Sequence, residues 1–266
     1  MLDILGYISG LFIGGTLGVF GGGGSILTVP VLVYLFKISP VVATAYSLFI
    51  VGITSLVGAI SRIKQKEADI KVAISFAIPG LTGVFLTRKY IIPAIPEKIY
   101  LFNDLVLTKD TAILIFFSII MLLASISMIK GRKENTNTKK LDEPWNTFLI
   151  IIGSFTTGII TGIVGAGGGF LIIPALVFLA KLDIKQAVAT SVLIIAINSL
   201  VGFTGNLNTG IEMNFKFLIG FSLITIFGIL IGIKVSNKIP ANKLKPAFGW
   251  FIMIMGIFII LKETIL

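Results

Sequence analysis

Ten apolar runs separated by polar breaks organise the chain: 4–20, 26–36, 41–60, 70–87 and 111–129, then 147–164, 170–180, 186–203, 215–233 and 246–261. Most approach the ~20 residues that carry an α-helix across a bilayer, and none shows the alternating ten-residue pattern of a transmembrane barrel. The pattern predicts an all-α polytopic membrane protein of about ten helical segments, some short or broken. Runs 26–36 and 170–180 hold only 11 residues each, about 17 Å of helix, too short to cross a ~30 Å hydrocarbon core unaided. They read as half-helices.

Residues 130–146 are the most polar stretch and read as a linker between a first unit, 1–129, and a second, 147–266. The two units repeat each other. Sliding the chain on itself by 144 residues aligns 14–58 with 158–202 without a gap, and about 20 of those 45 positions are identical. The matches include Gly14, Gly18, Gly21, Gly23, Gly24, Pro30 and Lys37 with Gly158, Gly162, Gly165, Gly167, Gly168, Pro174 and Lys181. Duplicated units are a common plan among secondary transporters.

Charge decides how the two units face each other. If each short run returns the chain to the opposite side, the 22 Lys and Arg divide 15 to 7 between the sides; if each is merged with its predecessor, they divide 11 to 11. Only the first division obeys the positive-inside rule. Five crossings per unit is an odd number, so the second unit is expected upside down relative to the first. The linker is then cytoplasmic and both termini lie outside.

Composition narrows the chemistry. Hydrophobic residues make up 56% and charged residues 13% of the chain, against about 25% charged in a soluble protein, and a net charge of +10 confined to connections sets topology rather than binding nucleic acid. There is no Cys and no His, which removes thiolates, disulfides, haem ligands and imidazole bases. All twelve acidic residues fall in termini or connections, so no buried carboxylate is expected to relay protons. No nucleophile–base pair suggests an enzyme, and no cofactor or metal is expected.

Two features can hold a ligand. Gly21, Gly22, Gly23, Gly24 and Ser25, with their copies Gly165, Gly167, Gly168 and Gly169, interrupt one apolar run and open the next. Glycines let backbone approach a ligand closely, and a new helix presents unpaired N–H groups at its positive end. The expectation is an anion site made of backbone near the membrane midplane. By contrast, Gly14 with Gly18 and Gly158 with Gly162 have the four-residue spacing of helix packing. The third segment of each unit adds a polar face: Ser47 and Thr54 align with Ser191 and Asn198, at spacings that keep each pair on one side of a helix. These side chains are candidate donors to the anion. Lys37 and Lys181, at the ends of the half-helices, suit the helix dipole and the headgroup region.

Paired Gly-rich segments followed by Pro30 and Pro174, in a duplicated membrane protein of this length, resemble the TauE/SafE sulfite exporter family over essentially the whole chain. The resemblance implies a multi-pass cell-membrane transporter of small sulfur-containing anions such as sulfite or organosulfonates. The expected partners are that anion and the lipid bilayer, with room for a homo-oligomer. The alternative is a membrane scaffold or assembly partner, which has no need of two equivalent Gly-rich turns and a polar face at the same depth in each copy.

Overall fold

The computed structural model describes residues 2–100, 106–129, 144–164, 169–206 and 213–265. In the first unit α1 (Leu2–Phe20) leads through a 3₁₀ segment, Gly21–Leu27, into the short α2 (Thr28–Tyr34), followed by α3 (Pro40–Lys64). Next, α4 (Ile70–Leu86) continues through a π turn, Thr87–Ile91, into one more helical turn, Ile92–Ala94. A small antiparallel hairpin of β1 (Lys98–Tyr100) and β2 (Val106–Thr108) then leads to α5 (Lys109–Ile129). The second unit holds α6 (Pro144–Val164), the short α7 (Gly169–Phe178), α8 (Ile184–Thr204), α9 (Phe215–Ser236) and α10 (Ala241–Ile265). Each apolar run of the sequence thus becomes one helix of an all-α polytopic membrane protein. The linker 130–146 lies almost wholly outside the described residues.

Local chemistry sets the ends. Asp69, Asp183 and Asn214 cap α4, α8 and α9, each side-chain oxygen accepting a backbone N–H three residues on. The half-helices stop at equivalent residues in left-handed conformation, Lys37 at φ 54° and Lys181 at φ 55°. The chain then turns back, so that Ile38 N–H reaches the Leu32 carbonyl at 3.1 Å and Leu182 N–H the Leu176 carbonyl at 3.2 Å, which satisfies one helix-end carbonyl in each unit. Left-handed backbone is uncommon outside glycine, and here it recurs at the same place in each unit.

The packing exchanges partners between the units. Helix α1 lies along α9, where a Cβ on Gly14 would collide with the Thr225 carbonyl, and α6 lies along α4, where a Cβ on Gly158 would collide with the Gly80 carbonyl. Small residues let these backbones touch, as the four-residue glycine spacing predicts. The other contacts join like to like. On α3, Gly52 meets Leu200 and Gly58 meets Val192 of α8, while Gly202 meets Leu48; the numbers fall on one helix as they rise on the other, so α3 and α8 run antiparallel. Gly249 against Met128 and Gly256 against Leu122 set α10 antiparallel to α5.

Among the described residues six helices are long and apolar enough to span a membrane, including α3 and α8, with 67% and 72% of their apolar windows buried against 28% for α10. The α3/α8 pair is therefore the core. The periphery presents apolar side chains such as Leu5, Ile8, Phe12, Ile219, Phe227 and Ile254 outward, a surface suited to lipid rather than water. Inside α4, Pro79 is tolerated in an unbroken helix, and Ser154 of α6 donates a hydrogen bond to the Phe76 carbonyl one turn earlier.

Candidate functional site

The glycine run differs from the expected unwound loop. It winds as a 3₁₀ segment, a tighter helix that poly-glycine accepts without side-chain crowding. The break sits at its first residue: Gly21 has φ 61°, and a Cβ there would lie 2.7 Å from the Ser191 hydroxyl and from the Val188 carbonyl. Gly22 donates its N–H to Ser191 Oγ at 3.4 Å and touches the backbone of Gly169 at the start of α7. Ser25, fully buried, donates to the Gly22 carbonyl at 2.5 Å, and its own carbonyl accepts the N–H of Thr28. Gly21, Gly22, Ser25, Gly169 and Ser191 therefore converge on the flank of α8, with Gly23 in the same turn.

Gly24 points elsewhere. Its missing side chain faces the backbone of Leu17 on α1, so its immediate role is close packing of the turn onto the helix that precedes it. Gly165, Gly167 and Gly168 lie outside the described residues.

The hydroxyl face divides into two levels. Ser191 meets the first glycine turn, and its equivalent Ser47 on α3 is fully buried with no hydrogen-bond partner. Thr54 and Asn198 sit seven residues further along α3 and α8, about 10 Å of helix, so a small anion does not touch both levels at once. Thr54 Oγ1 is 2.5 Å from Thr225 Oγ1 on α9. Asn198 faces Gly80 of α4, the residue that occupies Thr225's place in the other unit, and its Oδ1 is buried without a partner. Ser55 and Ser199, beside them, are likewise buried and unpartnered. Buried polar atoms are nearly always satisfied by protein or water. The concentration of exceptions on α3, α8 and the π turn after α4 marks the polar interior.

Sequence reasoning missed Arg88. An Arg–Lys pair at the end of an apolar run has the pattern of an interfacial anchor. In the fold Arg88 lies on the π turn that prolongs α4 and is 1% exposed. Its Nη1 donates to Thr44 Oγ1 of α3 at 2.9 Å, while Nε and Nη2 have no acceptor. The available signal was the apolar Tyr90-Ile91-Ile92 that follows it, which carries the helix past the charge. Arg62, also buried, is held by Glu67, by the Gly18 carbonyl at 2.9 Å and by Asn237 Oδ1 at 3.2 Å.

Residues 7–259 match the family described as Sulfite exporter TauE/SafE, and the chain belongs to that family. It is 29% identical to a probable membrane transporter protein of Methanocaldococcus jannaschii, across 98% of this chain and 95% of that one. A probable membrane transporter protein of Bacillus subtilis is 28% identical across 98% and 94%. One of Xylella fastidiosa is 27% identical across 96% and 94%. No solved structure matches the chain. The protein is thus a multi-pass membrane protein of a transporter family.

Proposed function

We propose that this chain carries a small sulfur-containing anion, sulfite or an organosulfonate, across the membrane by rocking two inverted five-helix units about a shared site, with no chemistry performed on the substrate. The observation that carries the reading is the convergence of the first glycine turn with Gly169 and Ser191 on the flank of the most buried helix. The Gly22 N–H donates to Ser191, Ser191 to the Val188 carbonyl and Ser25 to the Gly22 carbonyl, so an oxyanion binds there by exchanging these bonds for its own oxygens. Broken helices at a repeat interface are where secondary transporters place their substrates.

Inversion is supported by matched contacts. Asp69 N–H donates to Thr190 Oγ1 at 2.9 Å, and Asn214 N–H donates to the hydroxyl of Tyr46 at 2.8 Å; Tyr46 and Thr190 are equivalent positions, as are the two capping residues. Together with the antiparallel α3 and α8, this is the pattern of two units related by a two-fold axis in the membrane plane.

Flux of labelled sulfite and methanesulfonate into proteoliposomes tests the transport. Saturable uptake above empty vesicles is expected, and its absence for both favours the scaffold reading. Single cysteines replacing the equivalent exposed residues Lys71 and Lys216 test the inversion, since the native chain has none. An impermeant maleimide applied to intact cells should label Lys216→Cys and leave Lys71→Cys unlabelled; labelling of both from outside removes the inverted arrangement.

A further inference from the structure

We propose that Arg88 is the residue that recognises the anion's charge, gripping two of its oxygens through the edge of the guanidinium that carries Nε and Nη2; this rests on the anion-transport reading above. Arg88 is buried to 1% exposure, and the one hydrogen bond it makes uses Nη1, donated to Thr44 Oγ1 at 2.9 Å. Thr44 is itself fixed, its hydroxyl donating to the Val41 carbonyl at 2.8 Å, so that a lone pair faces the arginine. The bond at Nη1 sets the plane of the guanidinium and leaves the opposite edge open.

That open edge is the informative part. Nε–H and Nη2–H are parallel donors on one side of a planar group, the arrangement that takes two oxygens of a carboxylate, phosphate or sulfonate at once. Both are buried and lack an acceptor. An arginine stays protonated in a protein, and a buried charge without a counter-charge is strongly unfavourable unless something fills the place of its partner. Among the described residues the one ion pair is Arg62 with Glu67, so no carboxylate there serves Arg88.

The adjoining turns add further unpartnered polar atoms. Thr87, next to Arg88 on the π turn, has a fully buried hydroxyl with no partner. Ser47, three residues beyond Thr44 on the same face of α3, presents another. Gly205, at the end of α8, lies against the Arg88 side chain, which a larger residue would press upon. Thr44, which takes Nη1, lies one helical turn from Ser47, the equivalent of the Ser191 that meets the first glycine turn. The occupant that fits is an oxyanion with at least two terminal oxygens and one negative charge or more. A spherical halide uses the fork less well.

Isothermal titration of the purified chain in detergent with sulfite, methanesulfonate and chloride, alongside its melting temperature, tests this. The unaltered chain should bind sulfite or methanesulfonate more tightly than chloride. Arg88→Gln should weaken that binding by about 100-fold, the usual order for losing one member of a buried charge pair, without lowering the melting temperature. Arg88→Lys keeps the charge and loses the fork, and should weaken it by about tenfold. Arg88→Gln that binds normally, or that melts lower while its folded fraction binds normally, overturns the proposal. If Arg88→Gln does not fold, Arg88→Lys decides: unchanged affinity overturns the fork. An unaltered chain that binds neither oxyanion sinks the transport reading itself. Ser191→Ala losing affinity while Arg88→Gln retains it keeps that reading and removes this one.

Discussion

Among the described residues two arginines are buried, one at the end of α3 and one at the end of α4, and they are held in opposite ways. Arg62 brings its own counter-charge in Glu67 and ties three helices together, through the Gly18 carbonyl at the end of α1 and Asn237 just past α9. Around it Asn237 Nδ2 donates to Gln65 Oε1, and Ser236 donates to the Val19 carbonyl. A small polar cavity of about 220 Å³, lined by Arg62, Glu67, Lys185, Ser236 and Asn237 among others, sits against this cluster. Arg88 has one threonine hydroxyl and nothing else. At the position equivalent to Arg62, the second unit has the buried Asn206, whose amide bonds the Gly202 carbonyl. The scaffold is duplicated and the buried arginines are not. A cation that serves packing is neutralised by the fold, whereas one left open by the fold is available to a ligand.

The largest expected effect comes from replacing both arginines by methionine, one at a time, and following unfolding. Arg62→Met strands the Gly18 carbonyl and Asn237 and unpairs Glu67. Breaking a fully buried pair costs about 3–5 kcal/mol. Glu67 is 35% exposed, so about 2 kcal/mol is expected here after allowing for solvent screening. Arg88→Met removes an uncompensated charge and should leave the melting temperature unchanged or raise it. Equal losses in both variants would collapse the distinction and make Arg88 a second structural clamp.

A smaller effect sharpens the comparison by giving Arg88 what Arg62 already has. Thr44→Asp places a carboxylate where Nη1 now finds a hydroxyl. Sulfite affinity measured by titration should fall by about tenfold, roughly 1.4 kcal/mol, with stability maintained. Undiminished affinity would mean that the charge of Arg88 is not what the anion reads.

The sequence made the scaffold legible because membrane spans and close helix contacts leave strong marks. Run 41–60 became Pro40–Lys64 and run 215–233 became Phe215–Ser236, since apolar length is what a bilayer demands. Gly14 and Gly158 announced close helix packing through their spacing, while the partners, α9 and α4, are set by the fold. The polar face of α3 and α8 was visible in Ser47 and Ser191, yet its division into two levels was not, because that depends on which neighbouring helix faces each turn. Thr54 turns to Thr225, and Asn198 turns to Gly80. Gly24 looked like part of a ligand loop but spends its missing side chain on Leu17. Arg88 was hidden because a charge next to Lys89 at the end of an apolar run has the same local pattern whether it snorkels to headgroups or turns inward. Only the π turn and the neighbouring α3 decide which.

The smallest expected effect tests the part of the comparison in which the units agree. Asp69 caps α4 with Oδ1 3.0 Å from Val72 N, and Asn214 caps α9 with Oδ1 3.1 Å from Phe217 N. Each backbone N–H reaches across to the other unit's central helix, at Thr190 and Tyr46. Alanine at either position removes one cap bond and keeps the cross-unit bond, which the backbone supplies, so each should cost about 1 kcal/mol. Asp69 carries a charge that favours a helix start by a further 0.3 to 1 kcal/mol at low salt, roughly; Asn214 does not. The two losses, read from unfolding curves, should therefore differ by less than about 1 kcal/mol and converge as salt is raised, because screening removes the charge contribution and leaves the shared geometry. A gap of several kcal/mol that salt does not close would show that equivalent contacts do unequal work. The asymmetry of the molecule would then extend from its arginines into the scaffold itself.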